Sequence, residues 1–336
     1  MASISVEEVE CDLSPDVAHA ATAFVNGQIY LHGGIRHLKS GKPECHLYTF
    51  LPSVGEWQIV SSEGPALSHH AVFASNHRYL NFVGGWDGKM RTASIWIFDT
   101  LHNVWLGPYE MRGFPVGGGL SSHTVTGTDD GCVIIGRLGG TRTQRKNGTT
   151  MLIKGDAQHG FDLTETQHAV ASRSGHTTNP PNFNGHLIII GGRSESHCPL
   201  DFEVMRMKGL DQSAEYCPPV ATIGHYPSTG RGSFISRRYH VAWRDEQDNV
   251  IVHGGEGFSQ LDPNNVRADI GLLRGAASLK SGGKERVEWE KLRLGSGKLP
   301  ALAGHAAVAL ESSVFLFAGF DTHGQTNPRT YHLSFH

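Results

Sequence analysis

Apolar residues along the chain fall in short runs, not in long stripes. Ile29-Tyr30-Leu31-His32, Leu80-Asn81-Phe82-Val83, Leu187-Ile188-Ile189-Ile190, Val250-Ile251-Val252-His253 and Val314-Phe315-Leu316-Phe317 each stop at Gly-Gly or, in the last, Ala318-Gly319. A sixth run, Val133-Ile134-Ile135, stops at Gly136-Arg137. Runs this short, bounded by turn residues, mark buried strands. A histidine precedes each run: His19, His70, His123, His176, His240 and His305, at steps of 51, 53, 53, 64 and 65 residues. A period of roughly 50 residues marks an array unit such as a propeller blade.

Each unit resolves into four strands. In the first, Ala20 to Val25 leads through the hairpin signal Asn26-Gly27 into Gln28 to His32. Cys45 to Leu51 and Glu56-Trp57-Gln58-Ile59-Val60 follow. Ile95 to Phe98 with Val104-Trp105-Leu106, and Ile270 to Leu273 with Glu288-Trp289-Glu290, repeat the scheme. The second strand is apolar on both faces, as expected of a small sheet held between two neighbours. Its terminal glycine lets chains crowd near an axis, and Trp57, Trp105 and Trp289 offer large apolar area to the next unit.

The predicted fold is therefore all-β: a six-bladed propeller filling residues 1–336 as one domain, with blades starting near the six histidines. The sixth unit lacks a fourth strand. The segment Ile4 to Leu13, otherwise unused, is expected to complete that last blade and lock the ring. Thr141 to Asn147 is expected as a polar, basic loop, Met205 to Arg238 as a long connection, and Ala276 to Arg286 as a Gly/Ser/Lys loop.

Composition removes several function classes. The formal net charge is −3, against a general nucleic-acid surface. No apolar run approaches the roughly 20 residues that span a bilayer. Met1 to Cys11 is acidic and lacks the features of a secretion signal, so an intracellular protein, cytoplasmic and nuclear, is expected. Cys11, Cys45, Cys132, Cys198 and Cys217 are scattered and form no Cys-x-x-Cys pair, arguing against a disulfide framework or a zinc ribbon.

Hydrophobic strand, glycine pair and late tryptophan together resemble the kelch repeat over essentially the whole chain. The match is closest at Ser68-His69-His70-Ala71, Gly84-Gly85-Trp86-Asp87-Gly88, Gly119-Leu120-Ser121-Ser122-His123-Thr124, Gly139 to Arg145 and Ala171 to His176. The resemblance implies a kelch-type propeller that works through protein contacts and brings no catalytic residues. Some kelch propellers serve cullin ligases as substrate receptors, but they carry an extra docking segment that is not evident here. A receptor for a peptide or C-terminus in ubiquitin ligation is one alternative. A kelch-type enzyme, such as a sialate epimerase or copper oxidase, is another.

The histidine series, one per blade, is spread around a circle and cannot converge on a metal; a structural role is expected, with no metal and no cofactor. Serine beside histidine, as in Ser68-His69, points to opposite faces on a strand and makes no catalytic pair. The candidate binding residues are Arg36, Trp86, Asp87, Arg91, Arg142, Arg145, Arg173, Arg193, Arg237 and Arg238. They follow a glycine pair or precede a strand histidine, positions that open on one rim. Guanidinium groups there would grip carboxylates, and Trp86 would serve as an exposed anchor. The expected partner is a protein or peptide of acidic character, bound by a monomer.

Overall fold

The computed structural model describes residues 3–128, 131–140, 144–167, 173–179, 186–193, 203–207, 214–217, 237–257, 265–275, 288–311 and 313–336. Every regular element among them is a β-strand. In the first unit Ala21–Val25, Gln28–His32, Leu47–Leu51 and Glu56–Ser61 lie side by side in chain order. Asn26 and Gly27 join the first two with φ of 50° and 77°, the positive pair a tight two-residue hairpin requires.

The second unit repeats this order with Ala71–Ser75, Tyr79–Val83, Ser94–Asp99 and Val104–Arg112. The third is Thr124–Thr128, Gly131–Gly140, Gln144–Asp156 and Gly160–Gln167, and its last strand runs parallel to the last strand of the second. The fourth has Ser174–Asn179, His186–Arg193, Glu203–Met207 and Ala214–Cys217. The fifth has Val241–Arg244, Val250–His253, Ile270–Arg274 and Glu288–Lys291. The sixth supplies Ala306–Leu310, Ser313–Phe317 and Thr330–Phe335. Ser3–Val9 lies antiparallel beside that third strand, from Ile4 opposite Phe335 to Val9 opposite Thr330. On its other edge it meets Arg293–Ser296 in parallel, so the N-terminal strand is held from both sides.

Apolar cores fill the seams between units. Ile29, Leu31, Phe50 and Trp57 of the first unit pack with Val308, Phe315 and Phe317 of the sixth. Tyr30 and Leu47 pack with Leu80, Phe82 and Phe98 of the second. Each fully buried side chain of this size contributes about 1.5–3 kcal/mol.

The inner ends of the units are tied by a cycle of backbone hydrogen bonds. The N–H of His69 donates to the carbonyl of His19, Ser122 to His69, Gly175 to Ser122, Tyr239 to Gly175, Gly304 to Tyr239, and His19 back to Gly304, at 2.7–2.9 Å. The six members return to their start, as a closed ring of six units requires. All six have φ between 53° and 68°.

This cycle corrects the repeat frame. His19 is equivalent to His69, Ser122, Gly175, Tyr239 and Gly304, not to His70. The place held elsewhere by His70, His123, His176, His240 and His305 is taken in the first unit by Ala20.

Three boundaries also differ from expectation. The closing strand is Ser3–Val9 and stops short of Leu13. Residues 144–147, expected in a loop, belong to the strand Gln144–Asp156, because the third unit's second strand runs past Gly136 to Gly140 and its partner lengthens with it. The stretch after Met205, expected as connection, contains strand pairing through Met207 and again at Ala214–Cys217. Residues 218–236 and 276–287 lie outside the described residues.

Candidate functional site: the axial mouth and its arginines

The hydrogen-bonded cycle surrounds the axis, and the side chains it carries decide what the axial mouth looks like. Three of its six positions hold rings. His19 and His69 stack with centroids 4.0 Å apart, and Tyr239 meets His19 edge-on at 4.5 Å. The Tyr239 ring lies over Gly175 and the His19 ring over Gly304. A Cβ at either glycine would come within 2.8 and 2.6 Å of them. Three rings therefore roof a small cavity of about 140 Å³, whose wall includes His70, His123, His176, His240 and His305.

These five histidines are buried. His70 Nε2 lies 3.0 Å from His32 Nδ1, and His305 Nε2 lies 3.0 Å from His253 Nδ1. His176 meets Thr124 Oγ1 at 3.1 Å and His240 meets Thr177 Oγ1 at 2.9 Å. These four rings thus tie neighbouring units together, whereas His123 is held by packing. Burial pushes all five below the ordinary imidazole range, His123 to about 4 and His176 to about 3. They are neutral at physiological pH. Among the described residues no group of three His, Cys, Asp or Glu side chains is placed to hold a metal ion.

The candidate arginines divide into two sets. Arg173 and Arg237, expected on the rim, are buried at 1% and 0% exposure. They occupy the repeat position filled elsewhere by Val17, Leu67, Leu120 and Leu302, all buried. Arg173 Nη1 donates to the Gly191 carbonyl at 2.8 Å and Arg237 Nη1 to the Gly254 carbonyl at 2.7 Å. Arg237 also grips Asp269 with two bonds of 2.9 Å. Burial alone would raise the Asp269 carboxyl; the charge and hydrogen bonds of Arg237, with Arg267, hold it below its ordinary value. Both arginines brace the backbone, because a buried guanidinium must spend its donors on nearby carbonyls or carboxylates.

The second set reaches the surface. Arg36 is 41% exposed and lies 3.5 Å from Glu44. Arg91 donates from Nε to Ser121 Oγ at 2.8 Å. Arg238 pairs with Glu256 and covers the Tyr239 ring at 4.9 Å. His69 feels burial first, then the positive charges of Arg238 and Arg91, and falls to about 4. Arg238, over the Tyr239 ring, and Arg91, bonded to Ser121 next to the cycle member Ser122, flank the ringed mouth itself. Arg193 ends its strand part-exposed, opposite Ser174. Arg142 and the side chain of Arg145 lie outside the described residues.

Trp86 is partly buried, and its backbone bridges Ser68 and Arg91. Asp87 Oδ1 accepts the N–H groups of Lys89 and Met90, both at 2.7 Å, which makes Asp87 a turn former. Trp86 is thus not the bare anchor expected. One further expectation fails: Ser68 Oγ and His69 Nδ1 do meet, at 3.2 Å, because His69 sits in a turn with φ 54° and not on a strand. Ser68 is fully buried, so its hydroxyl is closed to a substrate.

Comparison with known proteins agrees with this architecture. No family model matches the chain. Kelch domain-containing protein 9 of mouse is 34% identical over 182 residues, 52% of each chain, and the human protein of that name is 33% identical over the same length and shares. The chain thus matches about half the length of these relatives. The serine/threonine-protein phosphatase BSL2 of Arabidopsis thaliana is 31% identical over 102 residues, 30% of this chain and 10% of that one. The solved structure of YjhT superposes with a TM-score of 0.65 over 95% of both chains, at 13% identity. The chain has the fold of a kelch-type β-propeller, and half of it is similar in sequence to kelch domain-containing protein 9.

Proposed function

We propose that the protein is a non-enzymatic interaction scaffold, acting inside the cell, that receives an acidic segment of a partner protein at the axial mouth. The observation that carries this is the placement of Arg238 over the Tyr239 ring and of Arg91 on Ser121, beside the cycle that holds His19, His69 and Tyr239. Cations beside a ring-lined mouth suit carboxylates, which bond to guanidinium groups and settle against aromatic edges. Arg36, exposed beside Glu44, adds a further guanidinium. The similarity to kelch domain-containing protein 9 supports a scaffold working through protein contacts.

The test is direct binding of fluorescein-labelled peptides with four glutamates around one tyrosine, followed by anisotropy. Exposed charges are screened beyond about 8–10 Å at 0.1–0.15 M salt. The acidic peptide should therefore bind at 50 mM salt and weaken markedly at 300 mM. A peptide with lysines in place of the glutamates should not compete. Equal binding of the two peptides at this rim would overturn the reading.

A further inference from the structure

We infer that the opposite rim carries a second, independent docking site, a cleft between the fifth and sixth units that takes a basic peptide segment anchored by one large apolar side chain. Strands leave the axial cycle and turn at their far ends, so the turn 245–249 and the strand end at Leu310 and Glu311 lie on the rim away from the axial arginines. Between them a cleft of about 240 Å³ opens. Trp243, Ile251, Leu272, Leu292, Val314 and Phe335 line its interior. All but Phe335 are buried members of one apolar cluster. Trp243 and Phe335 meet edge-on at 6.4 Å.

The mouth of this cleft is acidic. Asp245, Glu246 and Glu311 line it. Asp245 is occupied as a turn former, accepting the N–H groups of Gln247 and Asn249 and the Asn249 side-chain amide. Arg244, which also lines the cleft, is neutralised by Asp248 at 2.7 Å. Glu246 and Glu311 are exposed, and neither has a hydrogen bond or ion pair among the described residues. Two uncompensated carboxylates thus stand over an apolar slot. The neighbouring cleft between the sixth and first units shares Glu311 and adds Glu7 and Glu8. Glu8 there is engaged by Arg329 at 3.3 Å.

Charge complementarity selects the occupant. A lysine or arginine on either side of an anchor residue would face Glu246 and Glu311, while the anchor fills the slot lined by Trp243. An apolar anchor with flanking charges is a common way for short segments to be read. The site does not depend on the axial mouth, and the two carry opposite charge preferences, so either can fail alone.

The test uses the full chain and a fluorescein-labelled peptide with one leucine between two pairs of arginines. Binding should weaken about tenfold or more in the double variant Glu246→Lys with Glu311→Lys, whose side chains are exposed and carry no packing. Ala309→Trp, at an exposed wall position, should weaken it similarly by filling the slot. A peptide with serine for leucine should bind about tenfold more weakly. Melting temperatures of the variants should match the parent, which separates lost binding from lost folding. No binding by the parent overturns the proposal, as does equal binding by the charge-reversed variant, by Ala309→Trp or by the serine peptide. A dimer in sedimentation that Ala309→Trp disrupts would assign the cleft to a second copy and overturn it too.

Discussion

Ala318 and Ala20 belong to the same apolar cluster at the seam between the sixth and first units, where every other seam pairs a glycine with a histidine. His70, His240 and His305 press Cε1 so close to Gly33, Gly191 and Gly254 that a Cβ there would lie 3.0, 2.6 and 2.7 Å away. The one seam whose next unit carries alanine in place of histidine is the one that tolerates a methyl group on the glycine side, at φ 59°. The two exchanges compensate in volume.

Ala20→His should therefore cost about 1–3 kcal/mol through overpacking. Adding Ala318→Gly should recover much of it, with a coupling above about 0.5 kcal/mol. Urea unfolding of both single variants and the double variant checks this. Strict additivity of the two changes would show that the residues do not share the seam.

Closure by the N-terminal strand predicts a strong effect of truncation. Ile4 is fully buried, and Ser3–Val9 covers the edge of Thr330–Phe335. Removing residues 1–10 should lower the melting temperature and drive aggregation, because it uncovers a hydrogen-bonding edge. A soluble truncated protein with the parent's melting temperature would contradict the closure.

The outer tryptophans are equivalent in register but not in burial. Trp57 is 4% exposed and donates from Nε1 to Thr330 Oγ1 of the sixth unit at 2.9 Å. Trp105 is only partly buried and donates to Ser61 Oγ of the first unit at 3.0 Å. Trp57→Ala should cost about 3–5 kcal/mol, and Trp105→Ala visibly less. Chemical denaturation of the two variants gives the order, and a reversed order would sink this comparison.

Acid should unfold the protein steeply. His32, His70, His123, His176, His240, His253 and His305 are held below the ordinary value of 6.5, chiefly by burial. The unfolded chain takes up protons at these sites below about pH 6.5, while the native protein resists, at His123 and His253 until about 4 and at His32 and His176 until about 3. Stability is thus full above pH 6.5 and is lost as pH falls. Each site contributes about 1.4 kcal/mol per pH unit once its unfolded form is protonated. Thermal melts at pH 7.5, 6 and 5 should drop progressively, and a flat profile would show that these rings are not buried neutral.

The period, the glycine pairs and the hairpin signal were legible in the sequence because each reflects a local backbone demand. The frame of the first unit was not, because histidine occurs at two adjacent ring positions and His19 drew the register. Counting back from the hairpin exposes the slip: Ala20 precedes Asn26 by six residues, as His70 precedes Asn76. Counted the same way, Arg173 and Arg237 fall in the column of Val17, Leu67, Leu120 and Leu302, a buried one. Residue type suggested a rim and register indicated a core. The pairing of Arg237 with Asp269, 32 residues away, has no local signature at all.

Buried bracing by Arg173 sets its mutational outcome apart from that of rim arginines. Arg173→Glu should unfold the protein, since it places a carboxylate against the Gly191 carbonyl in a buried site, while Arg173→Leu restores the residue type of the equivalent positions. A loss of roughly 3 kcal/mol or more is expected for the glutamate. A folded, stable Arg173→Glu protein would return Arg173 to the surface set.

The scaffold reading is tested most directly by a crossed charge reversal with the acidic peptide. Two full-length variants are compared with the parent by anisotropy at 50 mM salt: Arg36→Glu with Arg91→Glu on the axial rim, and Glu246→Lys with Glu311→Lys on the opposite rim. The account predicts that the first loses the acidic peptide by about tenfold or more with little change in melting temperature, while the second keeps it. Acidic-peptide binding that survives reversal of the axial rim, or that is lost only on reversing the opposite one, would contradict it.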